Sequence, residues 1–317
     1  MKDRPFVLII GGPTASGKSR LAMELARLIP IEIISADSMQ IYRGLDIGTA
    51  KPSARDRKTV PHHLIDLRDP DEPFDAGQYK ELVRTIVPEI AGRGRIPVLV
   101  GGTGLYIRVA MGGIFPGPPR DEQLRKRLRA EEKGERGTLH RRLTEADPVS
   151  AGRIHPSDTV RVIRALEVFH LTGRPIRDQQ VEHTFSDRPF VTEFLCLGPP
   201  RELLYRWIDG RVDRMMAQGL LEEVTGLLER GYGRGLNSMK ALGYREMTAH
   251  LLGETGLREA IEMLKRNTRR FAKRQITWFR GESDAAWLTV GSVEEIPGLA
   301  QSLAERLSSR VELGSGN

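Results

Sequence analysis

Gly12-Pro13-Thr14-Ala15-Ser16-Gly17-Lys18-Ser19 decides the fold. It matches G-x-x-x-x-G-K-S and lies between an apolar run, Phe6 to Ile10, and a stretch of helical periodicity, Lys18 to Ile29. A strand, a glycine-rich turn and a helix in that order form the context in which this spacing makes a phosphate-binding loop. The glycines let backbone N–H groups turn inward around phosphate oxygens, and the helix N-terminus adds the positive end of its dipole. Lys18 supplies a point charge to the terminal phosphate, and the Ser19 hydroxyl suits Mg²⁺ beside it.

Outward from the loop, strand and helix patterns alternate. Ile31 to Ser35 reads as a second strand, His63 to Leu67 as a candidate third, and Ile96 to Val100 as a strand ending in Gly101-Gly102-Thr103-Gly104. Asp75 opens a helix that runs to about Ala91. Alternation of this kind predicts an α/β fold, a P-loop NTPase-like parallel sheet flanked by helices. The pattern breaks at Gly112 to Pro119, and the basic, helix-like stretch that follows reads as a helical insertion domain over 113–190. Val191 to Leu197 returns as a strand, so the core comprises 1–112 and 191–311, with a polar tail at 312–317 expected to be disordered. Long helical patterns cover Arg201 to Gly231 and Leu257 to Arg280, and Ala286 to Val290 reads as a late strand.

Enzymes that transfer phosphoryl groups add an acidic residue at the end of a neighbouring strand to hold Mg²⁺. Here the strand Ile96 to Val100 ends in Gly-Gly-Thr, and Asp66 is a weak substitute. The loop therefore suits a diphosphate that leaves better than a phosphoryl group that is transferred. Asp37, just past the second strand, falls on the sheet edge that carries the phosphate loop. A carboxylate there could bind metal, accept a proton or cap a helix.

The loop and the run Ser35-Ala-Asp-Ser-Met-Gln-Ile-Tyr-Arg-Gly-Leu-Asp-Ile-Gly-Thr-Ala-Lys-Pro52 are similar to the tRNA dimethylallyltransferases. So are Pro61 to Leu67, Val100 to Tyr106, Val162 to Val168, Lys240 to Arg245 and Lys273 to Arg280, in order along the chain. The resemblance covers about residues 6 to 281. It implies transfer of a dimethylallyl group from dimethylallyl diphosphate to N6 of the adenosine at tRNA position 37, with Mg²⁺ as cofactor. By the same resemblance Asp37 is the proton acceptor, Thr103 orients the reactants, and Lys18 and Arg211 meet the diphosphate. The tRNA anticodon stem-loop would touch Asp37, Ser38, Met39, Gln40 and Thr103. It would also touch Arg125, then Thr159, Val160, Arg161, Val162 and Ile163. Lys240, Ala241, Leu242, Gly243, Tyr244 and Arg245 follow, and then Lys273, Arg274, Gln275, Ile276, Thr277, Trp278, Phe279 and Arg280. Ser19 stands where relatives often have Thr, and both hydroxyls suit Mg²⁺. An isopentenyltransferase acting on free adenine nucleotides is the near alternative, and a P-loop small-molecule kinase a more distant one.

The chain has 317 residues, 49 Lys and Arg against 42 Asp and Glu, and a net charge of +7. That excess suits a polyanionic partner or a solubilising surface, and charge alone does not separate the two. Basic residues recur at helical spacing from Lys265 to Arg280, with Phe271, Trp278 and Phe279 between them; Phe271 and Trp278 read better as packing than as stacking residues. No apolar run approaches a membrane span, and Phe6 to Ile10 is too short for a signal-peptide core. A monomer in the cytoplasm is expected. Cys196, the one cysteine, excludes a disulfide framework or zinc cluster and reads as a small buried residue. His62 and His63 read as structural.

Overall fold

The computed structural model describes residues 4–113, 117–183 and 187–314. Elements follow in the order β1 (Phe6–Gly11), α1 (Lys18–Leu25), β2 (Ile31–Ser35), α2 (Ala54–Thr59), β3 (His62–His63), α3 (Ala76–Gly92), β4 (Ile96–Val100) and α4 (Gly104–Gly112). The helices α5 (Glu122–Gly134), α6 (Thr138–Ala146), α7 (Pro148–Ala151), α8 (Thr159–Thr172) and α9 (Ile176–His183) come next. Then follow β5 (Val191–Leu197), α10 (Arg201–Ala217), α11 (Leu220–Glu229), α12 (Tyr244–Leu251), α13 (Leu257–Arg280), β6 (Ala285–Leu288) and α14 (Ile296–Gly314). Two compact units result: residues 1–111 with 188–317, and Gly112–Asp187.

The first unit is built on six strands in the order β3-β2-β4-β1-β5-β6, every pair parallel. Strands covered on both faces must be apolar throughout, and β1, β2 and β4 are almost continuously so. Alternate residues serve opposite layers. Val7 and Ile9 pack with Leu99, Phe194 and the helices α3, α4 and α10 to α13. Leu8 and Ile10 pack with Val98, Leu195, Leu197, the α1 residues Leu21 and Leu25, and Ile296 and Leu303 of α14. Cys196 is fully buried in the first layer, and burial raises its thiol to about 12, so it is inert packing.

Several boundaries differ from the sequence expectation for local reasons. The helix expected to reach Ile29 ends at Leu25 and continues as turns, and Pro30 disfavours helical backbone at Ile29. The third strand is only His62–His63, since Leu64 and Asp66 adopt positive φ, 61° and 57°. His63 bonds Glu32 and His62 bonds the Val60 carbonyl, both structural contacts. The pattern Arg201 to Gly231 is two helices, broken at Gly219, whose φ of 96° suits glycine. The late strand ends at Leu288 rather than Val290. Residues 312–314, expected to be disordered, continue α14; 315–317 and the 114–116 part of the Gly/Pro-rich break lie outside the described residues.

The second unit has its own core of Leu124, Leu128, Leu139, Leu143, Val162, Ile163 and Leu166. Glu167 is buried there. Arg125 grips it through two bonds of 2.7 Å, Arg164 adds one of 2.6 Å, and the Asp121 amide one of 2.9 Å. Burial alone would raise the Glu167 carboxyl, but these donors outweigh it and hold it at about 2. Because the folded value lies below the unfolded value, the cluster stabilises above pH 4.5 and loses that contribution as pH falls toward 2. Glu167→Gln should lower the opening free energy of α5 and α8 by about 3 kcal/mol at neutral pH, since it leaves half-buried Arg125 without its counter-charge. Native-state hydrogen exchange on the full chain measures this. The gap from the parent should narrow below pH 4.5; unchanged exchange at neutral pH would refute the role.

Candidate active site

The phosphate loop leaves the C-terminal end of β1 and runs into α1. Ser16 Oγ is buried within it with no hydrogen-bond partner among the described residues, which suits a loop shaped around an anion. Lys18 Nζ donates to the Pro13 carbonyl at 2.5 Å. Burial lowers the Lys18 ammonium to about 7, the Arg211 guanidinium adds to this, and Asp37 opposes it. An anion bound at the loop restores the charged form.

Three more segments meet the loop. The first follows β2, where the Asp37 carboxylate accepts from the Met39 amide at 2.8 Å through Oδ1 and its other oxygen has no partner among the described residues. The second follows β4. The Thr103 hydroxyl accepts from the Ser38 amide at 3.1 Å, and the Thr103 amide donates to the Ala36 carbonyl at 3.0 Å. Thr103 therefore braces the Asp37 turn. The third is α10, whose Arg211 donates to Thr14 Oγ1 at 3.1 Å and to the Thr49 carbonyl at 3.4 Å. Behind the loop, Ile296 of α14 lies so close to Gly17 that a Cβ there would sit 2.7 Å from it.

Two cavities share these walls. One, of about 540 Å³, holds the phosphate loop with Arg206, Arg211 and Arg214. The other, of about 400 Å³, is lined by Ser38, Met39, Thr103, Lys240, Leu242 and Arg245. Thr14, Asp37, Thr49, Arg211, Phe271 and Gln275 line both. Asp37 thus stands where the two spaces meet. Ser19 and Asp37, both on the first cavity, offer hard oxygen donors of the kind Mg²⁺ takes. Among the described residues no cluster of three His, Cys, Asp or Glu could hold a metal, so this donor set fits an ion bound mainly by phosphate and water.

The family model described as IPP transferase matches residues 40–282. The chain belongs to the IPP transferase family. It is 51% identical over 288 residues, 90% of the chain and 93% of the relative, to the tRNA dimethylallyltransferase of Geobacter metallireducens. It is similar to the crystal structure of the full-length tRNA isopentenylpyrophosphate transferase from Bacillus halodurans, at 40% identity and TM-score 0.71, over 98% of this chain and 99% of that one. A eukaryotic dimethylallyltransferase acting on tRNA matches at 28% identity and TM-score 0.78, over 96% of this chain and 79% of that one.

In this family member the segments named from sequence divide into exposed and buried positions. On α13, Lys273, Arg274, Thr277 and Arg280 are exposed, as are Arg270 and Arg266 one and two turns earlier. Phe279 is fully buried against Phe194, and Trp278 packs on the core with Arg108 over its ring at 4.3 Å. Ile276 packs beside Leu204 and Ile208. Val160 and Arg161 are exposed on α8 and Thr159 is half-buried, whereas Val162 and Ile163 lie in the second unit's core. Lys240 and Arg245 are exposed, Ala241 and Leu242 line the second cavity, and Gly243 and Tyr244 are buried. Val162, Ile163, Tyr244 and Phe279 therefore present no side chain to a partner, because the helical repeat turns them inward, and Gly243 is the buried cap before α12. Arg125 is committed to Glu167.

Gln275, expected as a tRNA contact, is buried and makes two hydrogen bonds across the site. Its Oε1 accepts from the Thr14 amide at 2.8 Å, and its Nε2 donates to the Gly102 carbonyl at 2.9 Å. It ties the phosphate loop to the turn after β4. Only its place one turn from Phe271 on the cavity side of α13 could have indicated this. Replacing Gln275 with Leu should weaken inorganic diphosphate binding about tenfold, since it leaves a loop amide unsatisfied. Calorimetric titration of the full chain measures it, and unchanged affinity would show that the bridge does not shape the loop.

Proposed function

We infer that this family member transfers a dimethylallyl group from dimethylallyl diphosphate to N6 of the adenosine 3′ of the anticodon, at tRNA position 37, and releases diphosphate. The observation that carries this reading is Asp37 at the junction of a phosphate-loop cavity and a second cavity of about 400 Å³. A carboxylate between a leaving group and a nucleophile suits displacement at carbon. The target adenine sits in a loop, so it can leave its stack and enter the second cavity.

The exocyclic amine is a poor nucleophile because its lone pair is delocalised into the ring. Its nitrogen attacks C1 of the dimethylallyl group as the C1–O bond to diphosphate breaks, and Asp37 accepts the amine proton. Thr103 holds the turn that carries Asp37. The departing charge falls on the loop amides, Lys18 and Arg211, which are fixed before the reaction begins. Ser19 would hold Mg²⁺ against the diphosphate, where the ion supplies further positive charge to the leaving group. The exposed cations Arg266, Arg270, Lys273, Arg274 and Arg280 on α13 favour an anticodon stem-loop over a free nucleotide, which needs no such surface.

Label from dimethylallyl diphosphate should enter unmodified tRNA and not AMP; label in AMP alone would overturn the assignment of the acceptor. Asp37→Asn should lower turnover by about 10²- to 10⁴-fold with tRNA affinity little changed. Near-normal turnover would remove Asp37 as the proton acceptor. Neutralising Arg266, Arg270, Lys273 and Arg280 together should weaken tRNA binding and flatten its salt dependence by up to about 0.7 in log–log slope per lost phosphate contact. An unchanged slope would exclude this face.

A further inference from the structure

Glu223 of α11 lines neither cavity, yet its carboxylate gathers the turn that does. Three consecutive backbone amides, those of Asp46, Ile47 and Gly48, donate to it at 3.1, 2.8 and 3.3 Å. The Tyr244 hydroxyl adds a bond of 2.6 Å. A carboxylate offers about four acceptor positions, and four donors converge on this one. Tyr244 is fully buried, and burial together with the Glu223 carboxylate pushes its phenol far above the ordinary value, so it remains a donor. Gly48 lies close against the hydroxyl end of the Tyr244 ring, where a Cβ would come within 2.4 Å of Cε2. The turn is clamped between a carboxylate and an aromatic side chain.

The next residue, Thr49, passes this placement on. Its carbonyl accepts from Arg211 Nη2 at 3.4 Å and from Gln40 Nε2 at 3.2 Å. The other arm of Arg211 bonds Thr14 in the phosphate loop. The guanidinium is thus suspended between the loop and the 46–49 turn, and Glu223 fixes the second support.

We propose that Glu223 is a positioning residue for diphosphate departure: through the Asp46, Ile47 and Gly48 amides it sets the Thr49 carbonyl, which aims Arg211. This rests on the reading of Arg211 as a group that receives the leaving diphosphate. Glu223→Gln would keep the shape but offer one oxygen in place of two, with an amide N–H₂ facing donors. Glu223→Asp would keep charge and acceptor count on a shorter stem.

The test uses the full chain, dimethylallyl diphosphate and unmodified tRNA. Glu223→Gln should lower kcat about 10²-fold, the scale of an ångström-sized misplacement of a catalytic group, with tRNA affinity within about twofold. Glu223→Asp should recover at least about tenfold of that loss, because it restores the acceptors. If Glu223 acts through Arg211, the double variant with Arg211→Gln should be little worse than Arg211→Gln alone. Full activity in Arg211→Gln would show that the Arg211 reading is what failed, and would remove the route proposed here. An impaired Arg211→Gln with near-normal Glu223→Gln, or with effects that multiply in full, would overturn Glu223 while leaving Arg211 standing. A loss accounted for by the folded fraction alone, with no recovery in Glu223→Asp, would reduce Glu223 to a structural residue and also overturn the proposal.

Discussion

Parallel pairing of β1 with β4 and of β4 with β2 is the constraint on which the site depends. It places three strand C-termini side by side, so the phosphate loop, the Asp37 turn and the Gly101–Thr103 turn emerge from one edge. The loop amides then need no long side chains to reach them. Thr103 braces Asp37 through the Ser38 amide, and Gln275 braces the loop against Gly102. Helices from late in the chain complete the enclosure: α10 contributes Arg211, and α13 contributes Gln275 and Phe271.

Local signals in the sequence carry the sheet. Phe6 to Ile10, Ile31 to Ser35, Ile96 to Val100 and Val191 to Leu197 are short apolar runs bounded by glycine, proline or polar residues, and each is a strand. The phosphate loop is readable for the same reason, since its function requires fixed residues at fixed spacing. Boundaries that depend on backbone sign are less visible. Nothing in His63-Leu64-Ile65-Asp66 announces positive φ at Leu64 and Asp66, because neither residue type requires it.

The site is only half legible. Asp37 and Thr103 follow from strand ends. The motif blocks say which segments gather but not which way each side chain points. Lys273 to Arg280 is one run in the sequence, yet on α13 it presents Lys273, Arg274 and Arg280 outward, Gln275 to the loop and Phe279 to the core. A helix distributes neighbours around its axis, so a contiguous motif mixes binding, bracing and packing residues. Glu223 carries no sequence signal at all, since three of its four donors are backbone amides far away in the chain.

The contact of Ile296 with Gly17 has a consequence for the order in which the molecule becomes competent. In chain order the loop precedes both its lateral brace, Gln275, and its rear support, Ile296, by more than two hundred residues. A nascent chain therefore carries the complete phosphate-binding motif long before it carries a shaped phosphate site. Until α13 and α14 have docked, the Thr14 amide lacks its Gln275 acceptor and Gly17 lacks the Ile296 side chain behind it.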